Sequence, residues 1–209
     1  MTLTIIDSTE TFSTWLNREY IDEELQKELA KASILLTPFE DLRDNTPPVF
    51  PIGTESLIDY FKKNLPSEIS IDICIGEDDY LEFAFYNNYK RLGKFVILSV
   101  TIPIFITVFS SYVYDNFIKE DESKPPIITV DNSTTITNKT TVINNPPIKK
   151  VIDSKSPSEI TQKKFLQPTH IKFTVTVVDS TGTSKEIDYE GPANEVGTAL
   201  NALKEYEGK

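Results

Sequence analysis

One feature restricts this chain more than any other: Phe95 to Tyr114 is an uncharged run, FVILSVTIPIFITVFSSYVY, with Lys94 before it and Asp115 after it. Twenty helical residues rise about 30 Å, the depth of a bilayer's hydrocarbon core. Tyr86, Tyr89, Tyr112 and Tyr114 stand near its ends, where amphipathic rings favour the headgroup region. The run therefore predicts a transmembrane helix over 95–114. Pro103 at its middle frees a carbonyl near Ser99 and permits a kink. Ser99, Thr107, Ser110 and Ser111 offer the small and hydroxyl-bearing packing points through which helices associate in lipid.

A competing reading keeps the run inside a protein core, either as a central helix or as two buried strands broken at Pro103. Its Val, Ile and Thr content suits strands in water. Against it stands the composition. An acidic chain that is 39% hydrophobic shows no surplus of apolar surface elsewhere to bury such a run on all sides. The flanks set an orientation: Lys90, Arg91 and Lys94 before the run outnumber Lys119 and Lys124 after it, favouring an N-terminus on the cytoplasmic side. The Ile-, Asn-, Lys- and Thr-rich usage suggests an AT-rich coding sequence, and a bacterial inner membrane is the expected location.

The residues before the run form an acidic α/β domain, 1–90. Through Lys94 there are 18 acidic and 9 basic residues, most of the chain's net charge of -11. A chain this acidic lacks the basic face that phosphate contact needs, so nucleic acid is excluded as a general partner. Residues 20–32 read as a helix with Ile21, Leu25, Leu29 and Ala32 on one stripe. Residues 33–37 read as a buried strand. Thr54 caps a second helix carrying Leu57, Ile58 and Phe61. Residues 68–75 alternate, with Ile69, Ile71, Ile73 and Ile75 on one face. Strand, helix, strand is a βαβ pattern and implies a small, parallel sheet. A helix then starts at Asp78 or Asp79 and runs towards the membrane.

Residues 115–168 form a polar, Pro-, Thr- and Asn-rich linker. Within it, 127–144 alternates Thr with Ile or Val and suits edge strands beside a partner. Residues 169–209 read as a small α+β domain: strand, turn at Gly182, returning strand, then a helix with Val196, Leu200 and Leu203 in register. About 40 residues form a marginal core alone, so this stripe is expected to take a partner, and the chain to form a homo-oligomer.

Catalytic chemistry is sparse. One Cys and one His exclude a disulfide within the chain and clustered Cys or His metal sites. Cys74 has no His beside it in sequence and reads as a packed residue; His170 merely heads a strand. The best polar cluster is Glu77, Asp78, Asp79 and Glu82, with Asp72 on the preceding strand. It follows a strand end, where α/β domains place ligands, and offers oxygen donors for a cation. Acids at a helix N-terminus also complement its dipole, which explains the cluster without a metal. Glu40, Asp41 and Asp44 sit in a Pro-rich loop near by. No cofactor motif is present. The expected function is a single-pass membrane sensor, scaffold or partner-recruiting protein without catalytic activity. The alternative is an oligomeric membrane effector, a defence or toxin-like protein that forms a pore or perturbs the bilayer.

Overall fold

Thr2–Ser8, rich in β-branched residues, forms β1. A computed structural model describes residues 1–40, 46–85, 88–119 and 170–208 of the chain. Two short helices follow β1. α1 (Phe12–Leu16) opens on a reciprocal capping box between Thr11 and Thr14, and α2 (Glu23–Leu29) on Asp22, whose side chain accepts from the Glu24 and Leu25 amides. β2 (Ile34–Thr37), α3 (Thr54–Asn64) and β4 (Ile71–Ile73) form a βαβ unit with β2 and β4 parallel. β3 (Phe50–Pro51) and β5 (Glu82–Phe83) make a separate two-stranded parallel sheet.

The uncharged run is cut into two elements. Its first residues belong to β6 (Lys90–Leu98), and those after a 3-10 turn to α4 (Ile102–Val113), with Tyr114 opening a π-helical turn that ends at Ile118. Twelve helical residues rise only about 18 Å, and among the described residues no helix is long and apolar enough to cross a membrane. The predicted transmembrane helix over 95–114 is therefore overturned. The orientation, anchor and pore argued from it lose their basis. Pro103 does not kink a long helix; it stands in the first turn of a short one, where its missing N–H and fixed φ cost nothing. The helix expected from Asp78 or Asp79 is absent too: that stretch holds a 3-10 turn (Glu77–Asp79), then β5, and then β6.

The chain ends with β7 (His170–Val178), β8 (Ser184–Pro192) and α5 (Val196–Lys204). β7 and β8 do not form a separate small domain. They join the strands of the first half in one mixed six-stranded sheet, in the order β1-β8-β7-β6-β2-β4. β6 sits inside it, antiparallel to β2 and parallel to β7. An expected acidic α/β domain, membrane helix and small α+β domain thus give way to one α/β fold built on one sheet. The described residues belong to a unit formed by Met1–Lys119 and Leu166–Lys209. The linker beyond Lys119, including 127–144, lies outside the described residues, as do Asp41, Asp44 and Tyr86.

Packing explains why the run is so apolar. A strand buried on both faces reads as continuous hydrophobic sequence. On one face Phe95 and Ile97 meet α3, α4 and α5; on the other Val96 joins Trp15, Leu29, Leu35 and Cys74 under α1 and α2. The larger core is a chain of rings drawn from both halves. Phe109 lies 5.6 Å from Phe95 and 4.7 Å from Phe173, and Phe173 lies 5.2 Å from Tyr189. The apolar surface that seemed missing is supplied by β7, β8 and α5. Gly93, at φ 117, sits where β6 bulges, and a Cβ there would come within 2.9 Å of Leu36 Cδ1.

Candidate functional site

The acidic cluster gathers at one edge of the sheet, around β4. Ser70 O accepts the Ile34 amide at 3.0 Å and the Cys74 amide donates to Leu36 O at 2.9 Å. By the alternation of a parallel ladder, Ile71 and Ile73 turn their peptide groups outward. Ile73 is closed off locally: its amide donates to Asp72 Oδ1 at 2.9 Å, and its carbonyl accepts the Ile75 amide at 2.9 Å. α2 and α3 flank this edge, and a groove of about 460 Å³ runs between them, lined by Glu28, Glu55, Asp59, Asp72 and Glu77 with Lys62.

The acidic residues singled out in the sequence do different things. Glu77, Asp78 and Asp79 form the exposed 3-10 turn. Glu82, on β5, caps a helix that lies before it in the chain: its carboxylate accepts the Gly53 and Glu55 amides, both at 2.9 Å, at the start of α3, together with the Tyr80 hydroxyl at 2.7 Å. Burial works against the ionised form of Glu82, but these hydrogen bonds and nearby Lys90 outweigh it and hold the carboxyl below its ordinary range. Thr54, the expected cap, instead donates to Pro51 O at 2.7 Å. Among the described residues no group of three His, Cys, Asp or Glu side chains is arranged to hold a metal ion.

A second polar region lies over β6 and β7; from the sequence, Glu40 reads as a loop acid and Arg91 and Lys94 as the basic flank of the uncharged run, and none of them as part of a site. Arg18 Nη2 pairs with Glu10 at 3.3 Å and Glu40 at 3.2 Å, and its guanidinium lies 4.5 Å from the Trp15 ring centre. Tyr20 donates to Glu40 at 2.7 Å; burial, then that bond, push the phenol well above its usual pKa. Glu10, Arg18 and Glu40 line a cavity of about 240 Å³ together with Thr37, Thr174, Thr176 and Lys94. Arg91 and Lys94 rest on the Phe39 ring at 5.2 and 5.1 Å. Most charge here is spent on neighbours within the chain.

The thiol is inert for a physical reason. Cys74 is fully buried, 3.9 Å from Trp15 O, and burial pushes its pKa up to about 12. His170 is the exposed first residue of β7. Val196, Leu200 and Leu203 face inward and pack on the chain's own sheet. Ser99 is buried in the turn before α4. Thr107 and Ser111 lie on the exposed side of α4 and donate back to Pro103 O at 2.9 Å and Thr107 O at 3.0 Å. Ser110 is half-buried on that helix.

The sheet's other edge is β1, which sequence reasoning missed altogether. All seven of its residues pair with β8, from Thr2 opposite Glu190 to Ser8 opposite Ser184. On its outer side no strand pairs with it among the described residues, and five of the seven residues are exposed. Ile5 and Ile6 are 40% and 51% exposed, on opposite faces of the sheet. The signal was there in TLTIID, a short run of Thr and Ile with alternate Leu, but its partner strand lies almost the whole chain away.

No family model, curated protein or solved structure matches this chain. Function must be argued from the site alone. The acidic groove holds carboxylates, and among the described residues no three of them are arranged to hold a metal ion. The cavity over β6 is lined by paired charges and threonine hydroxyls. β1 differs in kind: it is an edge strand with no further strand beside it among the described residues, and it carries exposed apolar side chains.

Proposed function

We propose that this chain is a protein-binding module, a scaffold or recruiting protein without catalysis of its own, and that β1 is its binding edge. The observation that carries this reading is the outer side of β1, with which no strand pairs among the described residues. An edge strand of this length, with a single charged side chain, is a template for strand addition. Natural sheets blunt such edges with charge, proline or bulges; Asp7 stands near the end of β1, and its carboxylate is engaged by Lys185. Main-chain bonds supply affinity in strand addition, and the side chains on each face supply selectivity.

The test is a photo-crosslinking side chain placed at Ile6 in the full-length protein, with the same group at Thr107 as control. Light is expected to give a protein adduct from position 6 and none from 107, with the crosslinked peptide read by mass spectrometry. A correctly folded protein that yields no adduct from position 6 overturns the reading.

A further inference from the structure

The two edges of the sheet, taken together, say what β1 binds. We infer that β1 pairs antiparallel with β1 of a second copy of this chain, giving a closed two-fold dimer with a continuous sheet. This rests on the reading of β1 as a binding edge and names its occupant.

Four observations lead to it. First, an antiparallel pair of identical strands satisfies its own symmetry: the same patch serves both copies, and the contact closes on itself. Second, the register fits. With the axis at Ile5, that residue of one copy lies opposite Ile5 of the other, Thr4 opposite Ile6, Leu3 opposite Asp7 and Thr2 opposite Ser8. No like charges meet directly. Third, the edge is locally quiet in a chain of net charge -11: Asp7 is the only ionisable side chain of β1, and Lys185 of the adjacent strand pairs with it. The acids nearest the edge, Glu190, Asp188 and Glu186, lie one strand back on β8, and Lys172 pairs with the first two. Fourth, the far edge cannot propagate the pairing. β4 is three residues long, Ile73 is bonded locally through Asp72 and Ile75, and carboxylates line the groove beside it. One open edge and one blunted edge stop assembly at two copies, where two open edges would give a fibre.

The dimer also covers the exposed apolar side chains. Leu3 and Ile5 share a face with Tyr189 and Ile187 of β8, against the three-helix core, so pairing extends that core across the axis. Ile6 lies on the other face, beside Thr4 of the opposite copy.

The experiment uses the full-length protein and a charge exchange at two neighbouring same-face positions. One variant carries Thr4→Lys with Ile6→Lys, the other Thr4→Glu with Ile6→Glu. Sedimentation of the unaltered protein is expected to give twice the chain mass of 23.7 kDa. Each variant alone is expected to weaken dimerisation more than about tenfold, since like charges then face each other across the axis. Mixed, the two should form a heterodimer. Circular dichroism confirms that each variant is folded, and Ile6→Lys alone serves if a double variant is not. A monomer at every concentration, or a dimer indifferent to all these changes, overturns the proposal. So does a mass that grows beyond the dimer. The crosslink from position 6 separates this proposal from the reading beneath it. An adduct within a second copy near Thr4 supports both; an adduct with a different protein overturns the dimer and leaves the binding edge; no adduct overturns both.

Discussion

The two edges of this sheet solve the same problem in opposite ways. Every edge strand exposes main-chain groups that seek partners. At β4 the strand is short, Asp72 takes up the Ile73 amide, and helices flank it on either face. At β1 the strand is long, nearly uncharged and uncovered on its outer side by any described residue. At one edge the Ile73 groups are taken up by local bonds; at the other no strand follows among the described residues. The difference teaches that sheet edges carry information about assembly: a chain with one blunted edge and one open edge has a direction in which it can be extended, and only one.

The largest expected effect tests whether these are edges of a single cooperative sheet. Phe109→Ala removes a ring packed on Phe95, Phe105 and Phe173 and should cost about 3–5 kcal/mol. Amide exchange should accelerate in β1 and β4 together, in one unfolding transition. Two separate transitions, one for each half of the chain, would break the comparison.

A smaller loss should be confined to the β1 side. A Cβ at Gly191 would lie 2.8 Å from Tyr189 Oη and 3.1 Å from Met1 Cγ. Gly191→Ala should therefore cost about 1–3 kcal/mol through overpacking. Hydrogen exchange should show β1 loosened and β4 unchanged; equal loosening at both edges would contradict the placement of the strain.

Glu82 acts on the other side, at the start of α3. Glu82→Ala is expected to remove about 0.5–1 kcal/mol, the scale of a lost helix cap. The pH dependence has a definite sign. The folded-state pKa of Glu82 is depressed, so its contribution is present above the unfolded value, near 4.3, and disappears as pH falls through the folded one. Denaturant midpoints of Glu82→Ala and the unaltered protein should converge below about pH 4 and separate above it. A constant gap across that range would show that the carboxylate is not the cap.

The smallest change in stability should come from Asp72→Ala, less than about 1 kcal/mol for one partly exposed hydrogen bond. Its informative readout is association. Freeing the Ile73 amide should reopen the β4 edge and give species larger than the unaltered protein forms at the same concentration. Sedimentation profiles that stay superimposable would mean that the flanking helices, not Asp72, blunt this edge.

Local periodicity located several elements well. The stripes of Leu25 and Leu29, of Leu57, Ile58 and Phe61, and of Val196, Leu200 and Leu203 mark α2, α3 and α5, and alternation from Ile171 to Val177 marks β7. These patterns are legible because burial has a period of 3.6 in helices and 2 in strands. Where the elements went was not legible. The stripe on α5 looked free because the sheet that covers it includes strands more than a hundred residues earlier. Glu82 looked like part of a cation cluster because its amide partners, Gly53 and Glu55, come before it by a whole helix. β1 was missed because its ladder partner, β8, lies at the far end of the chain.

The uncharged run divides the two contributions most clearly. By itself, the sequence determined that most of Phe95–Tyr114 leaves water: no charge interrupts it, and its large apolar side chains lose free energy when exposed, although Val100, Pro103, Thr107, Ser111 and Tyr114 stay at the surface. Pro103, read from the sequence as a kink in the middle of a span, stands in the first turn of α4 only because β6 ends at Leu98 and a new helix begins after it. The tertiary structure decided which non-aqueous surroundings the run enters. A strand's main-chain bonds are made to other strands, so β6 exists only because β2 and β7 flank it, from residues about 60 before and 80 after it. A lone apolar run has no way to express those partners. Length and hydropathy alone are equally satisfied by lipid, and it is the pairing of distant segments that turns the same residues into the centre of a protein core.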